Sequence, residues 1–99
     1  MKSKDEIIQE LKQLKSELNS KFDVEQIGIF GSYVHNKQNS DSDLDVLIEL
    51  KKNSRLSLLG LSIFENWLSE FLGIKVDLVL KSDLKPKIGK RILNEVVYL

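Results

Sequence analysis

The sequence predicts an α/β (α+β) protein in which helices flank a small mixed β-sheet, in the order αβ(α)βαβα. Two observations carry this prediction. Apolar residues recur at helical spacing near both ends and in the middle of the chain, and three short apolar segments between them read as strands. The chain has 99 residues, enough for one small domain, so we expect a single domain over residues 1–99.

The N-terminal segment predicts an amphipathic helix that covers one face of the sheet. Ser3-Lys4-Asp5-Glu6 fits a capping box with acidic residues in the first turn. The pattern ends near Asn19-Ser20, and the apolar positions that define it are Ile7, Ile8, Leu11, Leu14 and Leu18.

The next stretch predicts two strands joined by a polar loop. The first strand covers about Gln26 to Phe30 and leads into Gly31-Ser32 and a short helix from Tyr33 to Asn36. Residues 37–42 are polar and turn-rich, so they form a loop. The second strand runs from Asp43 to Leu50.

Asp43 and Asp45 predict a metal site on this second strand. Side chains alternate between the two faces of a strand, so both aspartates project from one face, with Cα atoms roughly 7 Å apart. The opposite face is apolar. Adjacent carboxylates repel unless they are protonated or bridged by cations, and Mg²⁺ prefers carboxylate oxygens together with substrate phosphates. The pair therefore suggests phosphoryl or nucleotidyl transfer.

Gly31 and Ser32 predict a phosphate-binding turn ten residues before this pair. Glycine lets the backbone approach a bulky anion, and free N–H groups at a strand-to-helix turn suit a phosphate. The Ser32 hydroxyl adds a donor. The spacing G-S-x10-D-x-D between two strands is more specific than a D-x-D motif alone.

The second half of the chain predicts a helix, a third strand and a last helix. Asn53 or Ser54 caps a helix over Arg55 to Leu72, and Gly73 ends it. Its apolar stripe indicates core packing, including a packing role for Trp67 rather than base stacking. The stripe consists of Leu56, Leu59, Ile63, Phe64, Trp67, Leu68 and Phe71.

The third strand covers Ile74 to Leu80 and carries one acid, Asp77. If this strand lies beside the second, Asp77 stands next to the aspartate pair, although an acid in a strand is often only solvent-facing. Ser82-Asp83 then caps a last helix that tolerates Pro86 in its first turn and ends at Tyr98-Leu99.

At Gly31-Ser32 and Asp43-Leu44-Asp45 the chain resembles the minimal nucleotidyltransferase (MNT) domains of the DNA polymerase beta-like superfamily. The resemblance implies that Asp43, Asp45 and Asp77 bind Mg²⁺, with two ions expected, and that Gly31 and Ser32 hold the triphosphate of ATP. One departure concerns the family motif Gly-Ser-x-Ala-Arg-Gly, because this chain has His35 in place of the arginine.

The resemblance also implies a partner. Minimal nucleotidyltransferases resemble the antitoxin half of two-gene toxin–antitoxin systems, in which AMP is added to a tyrosine of a HEPN ribonuclease toxin. Two alternatives remain open: an antitoxin that masks its partner without chemistry, and a transferase that acts on a small molecule such as an antibiotic. Lys87, Lys90 and Arg91 are candidates for neutralising phosphate charge.

Composition excludes several other classes. The chain has no cysteine, so it has neither disulfides nor a cysteine nucleophile. Its charged N-terminus is unlike a signal peptide, and no run is long and apolar enough for a bilayer, so we expect a cytoplasmic protein without a membrane partner. The formal net charge of zero does not favour nucleic acid as the main partner.

Overall fold

The sheet lies at the centre of the computed structural model, which describes residues 2–99. Its strands are β1 (Val24–Phe30), β2 (Leu44–Leu50), β3 (Val76–Leu80) and β4 (Val97–Tyr98), in the spatial order β3-β2-β1-β4. β1 is antiparallel to β2 and to β4, whereas β2 and β3 are parallel. The predicted mixed sheet is therefore confirmed, with one more strand than the sequence indicated.

Three helices, α1 (Lys4–Gln13), α2 (Lys15–Phe22) and α3 (Leu58–Leu72), supply the apolar side chains that cover one face of this sheet. The fourth helix is α4 (Pro86–Glu95). The alternation in β2 divides its residues as expected, because alternate apolar residues are buried in the core and the intervening positions lie on the other face. The core includes Ile7, Leu11, Leu18, Ile27, Ile29, Leu44, Val46, Ile48, Phe64, Leu68 and Leu72.

The N-terminal helix is broken in two, so the prediction of one continuous helix was wrong. Its start is as expected, because the Ser3 side chain accepts a hydrogen bond from the Glu6 N–H at 3.2 Å. The break falls at Leu14, whose N–H bonds to the carbonyl of Leu11, three residues back. Leu11 and Leu18, on either side of this break, are both buried in the same core.

Helix α3 begins at Leu58, three residues later than predicted. Ser57 caps it by accepting from the Gly60 N–H at 3.1 Å. Ser54, one of the two expected caps, instead donates to Asp23 Oδ2 at 3.1 Å and so ties the preceding loop to the end of α2. The prediction for the other end is confirmed, since Gly73 closes α3 with φ +69°.

Only one side of the predicted α3 stripe is buried. Phe64, Leu68 and Leu72 are fully enclosed, whereas Leu59 and Ile63 are 72% and 56% exposed. The expectation that the whole stripe forms core was therefore wrong, because the sheet presents only one surface to the helix. Trp67 does pack against the core, with its ring 5.3 Å from that of Phe22.

The last helix ends at Glu95 rather than at Tyr98-Leu99, and the four final residues leave it. Val97 and Tyr98 pair with Ile29 and Gly28 as β4, because the free edge of β1 offers backbone partners to this β-branched segment. Pro86 occupies the first turn as predicted, but Ser82-Asp83 lies in a 3-10 turn and does not cap the helix. Within residues 2–99, no helix has both the length and the apolarity needed to cross a membrane.

Candidate active site

The register of the two parallel strands places Asp45 directly beside Asp77. The paired residues of β2 and β3 are Asp45 with Asp77, and Leu47 with Val79 on the same face. Asp43 lies immediately before β2, one residue outside the strand that was predicted to include it. The sheet therefore places Asp77, the third predicted acid, next to Asp45. Both residues lie on the face of the sheet opposite the core.

Helix α3 holds β3 at the residues on either side of Asp77. The Glu65 carboxylate accepts from the Leu78 N–H at 2.8 Å, and the Ser69 hydroxyl accepts from the Val76 N–H at 2.9 Å. These N–H groups lie on the outer edge of the sheet, so side chains of α3 replace a missing neighbouring strand. Neither residue was predicted, because α3 carries several polar residues and only the position of β3 distinguishes Glu65 and Ser69 from the others.

The electrostatics of the site centre on Asp45. Partial burial is the main cause that raises the pKa of its carboxyl group from the ordinary value of 3.8 to about 6. The negative charges of Asp77, Asp43 and Glu95 add to this effect, in that order. Four carboxylates thus share one region, which favours the binding of a proton or of a cation.

The Gly31-Ser32 turn packs directly against Asp45. Gly31 has φ +80°, and a Cβ atom at this position would overlap Asp45 Oδ2. A 3-10 turn starts here, and the Gly31 carbonyl accepts from the N–H of Val34 at 3.1 Å. Glycine is therefore required both for the backbone conformation and for close approach to the carboxylate.

The segment that departs from the family motif contains a residue with a left-handed backbone conformation. Asn36 stands where the motif has its second glycine, and it adopts φ +56°. Asparagine is one of the few residues that enter the left-handed region readily. His35, at the arginine position, is half-exposed, and its Nε2 lies 2.7 Å from Glu95 Oε2.

Glu95 is a member of the site that sequence reasoning missed. Its Oε1 accepts from the Gly31 N–H at 3.3 Å while its Oε2 contacts His35. The hydrogen bond from His35 is the main cause that lowers the pKa of this carboxyl group, with further lowering from the Gly31 N–H and the charge of Arg91. Glu95 was missed because the segment was predicted as helix, and β4 is only two residues long.

The acidic side chains of the site match the ligand preference of Mg²⁺. Carboxylate oxygens are the ligands that Mg²⁺ prefers, and the mutual repulsion around Asp45 is what a cation would relieve. Within residues 2–99, however, no three Asp, Glu or His side chains are gathered closely enough to hold one ion. The site therefore has the kind of ligand that Mg²⁺ prefers, on neighbouring strands. Its carboxylate groups do not yet lie close enough together to share one ion.

A cavity adjoins Asp43, whereas neither Asp45 nor Asp77 lines it. It has a volume of about 700 Å³ and is bounded by Asp43, the Asn39 to Ser42 loop, Tyr33 and the segment before β3. The basic residues considered as phosphate contacts, Lys87, Lys90 and Arg91, are exposed on α4. Of these, Arg91 is the one whose charge acts on Glu95.

This mixed sheet, with acids on two adjacent strands beside a glycine-serine turn, has a nucleotidyltransferase-type fold. The family model described as "Nucleotidyltransferase domain" matches residues 11–99, and the chain belongs to this family. It is accordingly a nucleotidyltransferase enzyme.

Relatives at the sequence level carry more specific names. The protein adenylyltransferase MntA of Thermococcus cleftensis is 46% identical over 85 residues, which cover 86% of this chain and 84% of that protein. A Methanocaldococcus jannaschii protein, provisionally named a protein adenylyltransferase, is 42% identical over the full length of both chains.

Solved structures share the fold. One provisionally described as a minimal nucleotidyltransferase superposes with a TM-score of 0.78 at 26% identity and covers 95% of this chain and 94% of its own. A second, a toxin–antitoxin complex crystallised with AMP-PNP, has a TM-score of 0.72 at 21% identity and covers 90% of this chain and 70% of its own. The predicted MNT resemblance is confirmed.

Proposed function

We propose that this enzyme transfers AMP from ATP to a hydroxyl group of a partner toxin and so acts as an antitoxin. The name of the relative at 46% identity, protein adenylyltransferase, supports AMP as the group transferred and protein as the acceptor. A similar fold in a toxin–antitoxin complex with AMP-PNP supports both the toxin partner and an adenine nucleotide. We further propose a HEPN-family toxin, a tyrosine acceptor and a cytoplasmic site of action, where ATP is available.

The observation that carries the proposal is the pairing of Asp45 with Asp77 beside the Gly31 turn. A triphosphate needs donors and cations, and an acceptor hydroxyl needs a nearby group to take its proton. The Gly31 turn and the aspartates of β2 and β3 lie at the same end of the strands, which supports a role for them in one site.

We assign the residues of the site as follows. Asp43, Asp45 and Asp77 would hold Mg²⁺, with two ions expected, and Gly31 and Ser32 would form the triphosphate-binding turn. The metal would supply charge neutralisation for the phosphates and for the departing pyrophosphate. The acceptor oxygen forms a bond to the α-phosphorus, and the bond from that phosphorus to the bridging oxygen of pyrophosphate breaks.

The proton of the acceptor hydroxyl also needs a destination. Asp77 is exposed and lies on the edge strand, so an acceptor side chain from another protein can approach it. We place the proton acceptor there. The cavity beside Asp43 would accommodate part of the nucleotide or of the acceptor.

The test is a transfer reaction with the protein encoded by the adjacent gene as acceptor. Purified chain, Mg²⁺ and α-³²P-ATP should label that protein, and replacement of its tyrosines by phenylalanine should abolish the label. Asp45→Asn should remove labelling, whereas Asp83→Asn, at an exposed aspartate in the 3-10 turn after β3, should not.

Two outcomes would replace this proposal. A stable complex that silences the toxin without label would indicate a masking antitoxin, the alternative that the motif arginine's replacement by His35 leaves open. Label on an aminoglycoside instead of on protein would indicate a small-molecule transferase.

A further inference from the structure

Glu95 makes two hydrogen bonds that connect the C-terminal end of α4 to the Gly31-Ser32 turn. One carboxylate oxygen accepts from the backbone N–H of Gly31 at 3.3 Å, and the other lies 2.7 Å from Nε2 of His35. His35 is four residues after Gly31, so the carboxylate contacts the turn at both its start and its end. A single side chain therefore spans the turn.

The sheet register sets this contact. β4 pairs with β1 through Ile29 with Val97 and Gly28 with Tyr98. Glu95 lies two residues before Val97 and Gly31 lies two residues after Ile29, so this pairing brings the end of α4 close to the start of the turn. The two-residue strand β4 thus keeps the Glu95 carboxylate within reach of the turn.

This position is otherwise unfavourable for a glutamate. The C-terminus of a helix carries partial negative charge, which disfavours an acid at the last residue of α4. Glu95 also adds negative charge to a region that already contains Asp45. The hydrogen bonds to Gly31 and His35 offset these repulsions, which indicates that the contact has a specific role.

The contact also explains the departure at His35. The side chain is 48% exposed, and the contact it makes is with Glu95. A guanidinium at this position is long enough to make the same contact with two parallel hydrogen bonds. An arginine at position 35 would therefore have Glu95 within reach as a partner.

We propose that Glu95 is a positioning residue, which holds the Gly31-Ser32 turn in its triphosphate-binding conformation, and that His35 acts by holding Glu95. Because the Gly31 N–H is occupied by Glu95, this assigns the phosphate contact of the turn to Ser32. Gly31 serves to bring the backbone close to Asp45. The inference rests on the proposed nucleotide-binding function and specifies how that site is shaped.

The experiment measures the dissociation constant of AMP-PNP with Mg²⁺ by calorimetry, at a temperature well below the melting point of each variant. Glu95→Ala should weaken binding about tenfold, the effect of losing one or two hydrogen bonds to the turn. Glu95→Gln keeps an oxygen for Gly31 and an N–H for His35, so it should stay within about twofold of the wild type.

His35 provides a second, independent variant, because its half-exposed side chain can be replaced without leaving a buried cavity. His35→Ala should weaken AMP-PNP binding by about threefold, and His35→Arg should restore it. Glu17→Ala, which removes an exposed ion pair with Lys21 on α2, is the matched control and should bind as the wild type does.

The outcomes separate the two proposals. Failure of the wild type to bind AMP-PNP overturns the proposed function and this inference with it. Normal binding by the wild type together with equal or tighter binding by Glu95→Ala overturns the positioning role alone. Equal weakening by Glu95→Gln and Glu95→Ala overturns the hydrogen-bonding explanation.

Discussion

At the scale of single residues, two glycines with left-handed backbone conformations differ in one respect. Gly31 (φ +80°) packs against Asp45, whereas Gly73 (φ +69°) has no atom within 4 Å of the position of an added Cβ. We expect Gly73→Ala to lower the free energy of unfolding by about 1 kcal/mol, the cost of a left-handed alanine. Gly31→Ala should cost at least about 2 to 3 kcal/mol, because the overlap with Asp45 Oδ2 adds to it.

Chemical denaturation of both variants gives the two values, and their difference isolates the overlap. AMP-PNP binding should be lost in Gly31→Ala and retained in Gly73→Ala. Equal destabilisation of the two variants would show that Asp45 does not confine the turn.

The raised pKa of Asp45 leads to a prediction about how stability depends on pH. Its pKa is raised from 3.8 to about 6 in the folded protein, so the folded state binds more protons than the unfolded state between these values. Its contribution is therefore most favourable below about pH 4 and is lost as the pH rises through about 6. Asp45→Asn should stabilise the protein at pH 7 by about 1 kcal/mol, after discounting for solvent screening of a partly exposed group.

Urea denaturation from pH 4 to 7.5, without divalent cations, measures this effect. The gain in stability of Asp45→Asn over the wild type should grow with pH across this range. A wild-type chain that loses no stability relative to Asp45→Asn as the pH rises would contradict the raised pKa.

The residues of the site differ in how far the sequence reveals them. Strand alternation and the glycine-serine turn are local patterns, so they locate Asp43, Asp45 and Gly31. That Asp77 lies beside Asp45 depends on strand order, which the sequence only suggested as one arrangement. Glu95 depends on a two-residue strand at the end of the chain, a non-local pairing that leaves no periodic pattern.

At the scale of elements, α3 shows that an apolar residue in a helical stripe is not always buried. Phe64 and Ile63 are neighbours in the predicted stripe, but the first is fully buried and the second is 56% exposed. Phe64→Ala should lower the free energy of unfolding by about 3 to 5 kcal/mol, since it removes a ring stacked on Phe22 and leaves a cavity. Ile63→Ala should change it by less than about 1 kcal/mol.

Thermal and urea denaturation of these two variants compare the two sides of one helix. Similar losses for both would mean that the exposed side of α3 is covered in solution.

The ends of elements were harder to predict than their existence. Asn53, Ser54 and Ser57 are all plausible caps by residue type, and only the tertiary contact of Ser54 with Asp23 decides in favour of Ser57. The break at Leu14 has no glycine or proline to announce it. In both cases packing against other parts of the chain overrides the local preference.

At the scale of the whole molecule, the balance of charge hides an uneven distribution. Residues 21–50 hold two Lys and six acidic residues, whereas residues 81–99 hold five basic and two acidic residues. The acidic segment includes Asp43 and Asp45, and the basic segment supplies α4. A protein with zero net charge thus has one region suited to cations and another suited to anions.

This distribution leads to a prediction about divalent cations. Mg²⁺ that binds only the folded protein, at ten times its dissociation constant, should add about 1.4 kcal/mol of stability. For a chain of this size the melting temperature should rise by about 5 to 10 °C at pH 7.5. At pH 5 the rise should be smaller, because the Asp45 carboxyl, with a pKa of about 6, is then mostly protonated and the proton competes with Mg²⁺ for it.

Differential scanning calorimetry at constant ionic strength tests the prediction, with NaCl replacing MgCl₂ in the control to remove general screening. Asp45→Asn should lose the Mg²⁺-dependent rise, because the ion no longer relieves repulsion at this position. Asp41→Asn should keep it. An equal rise in the wild type and in Asp45→Asn would place the bound cation away from the strands β2 and β3, and the assignment of Asp43, Asp45 and Asp77 as its ligands would be wrong.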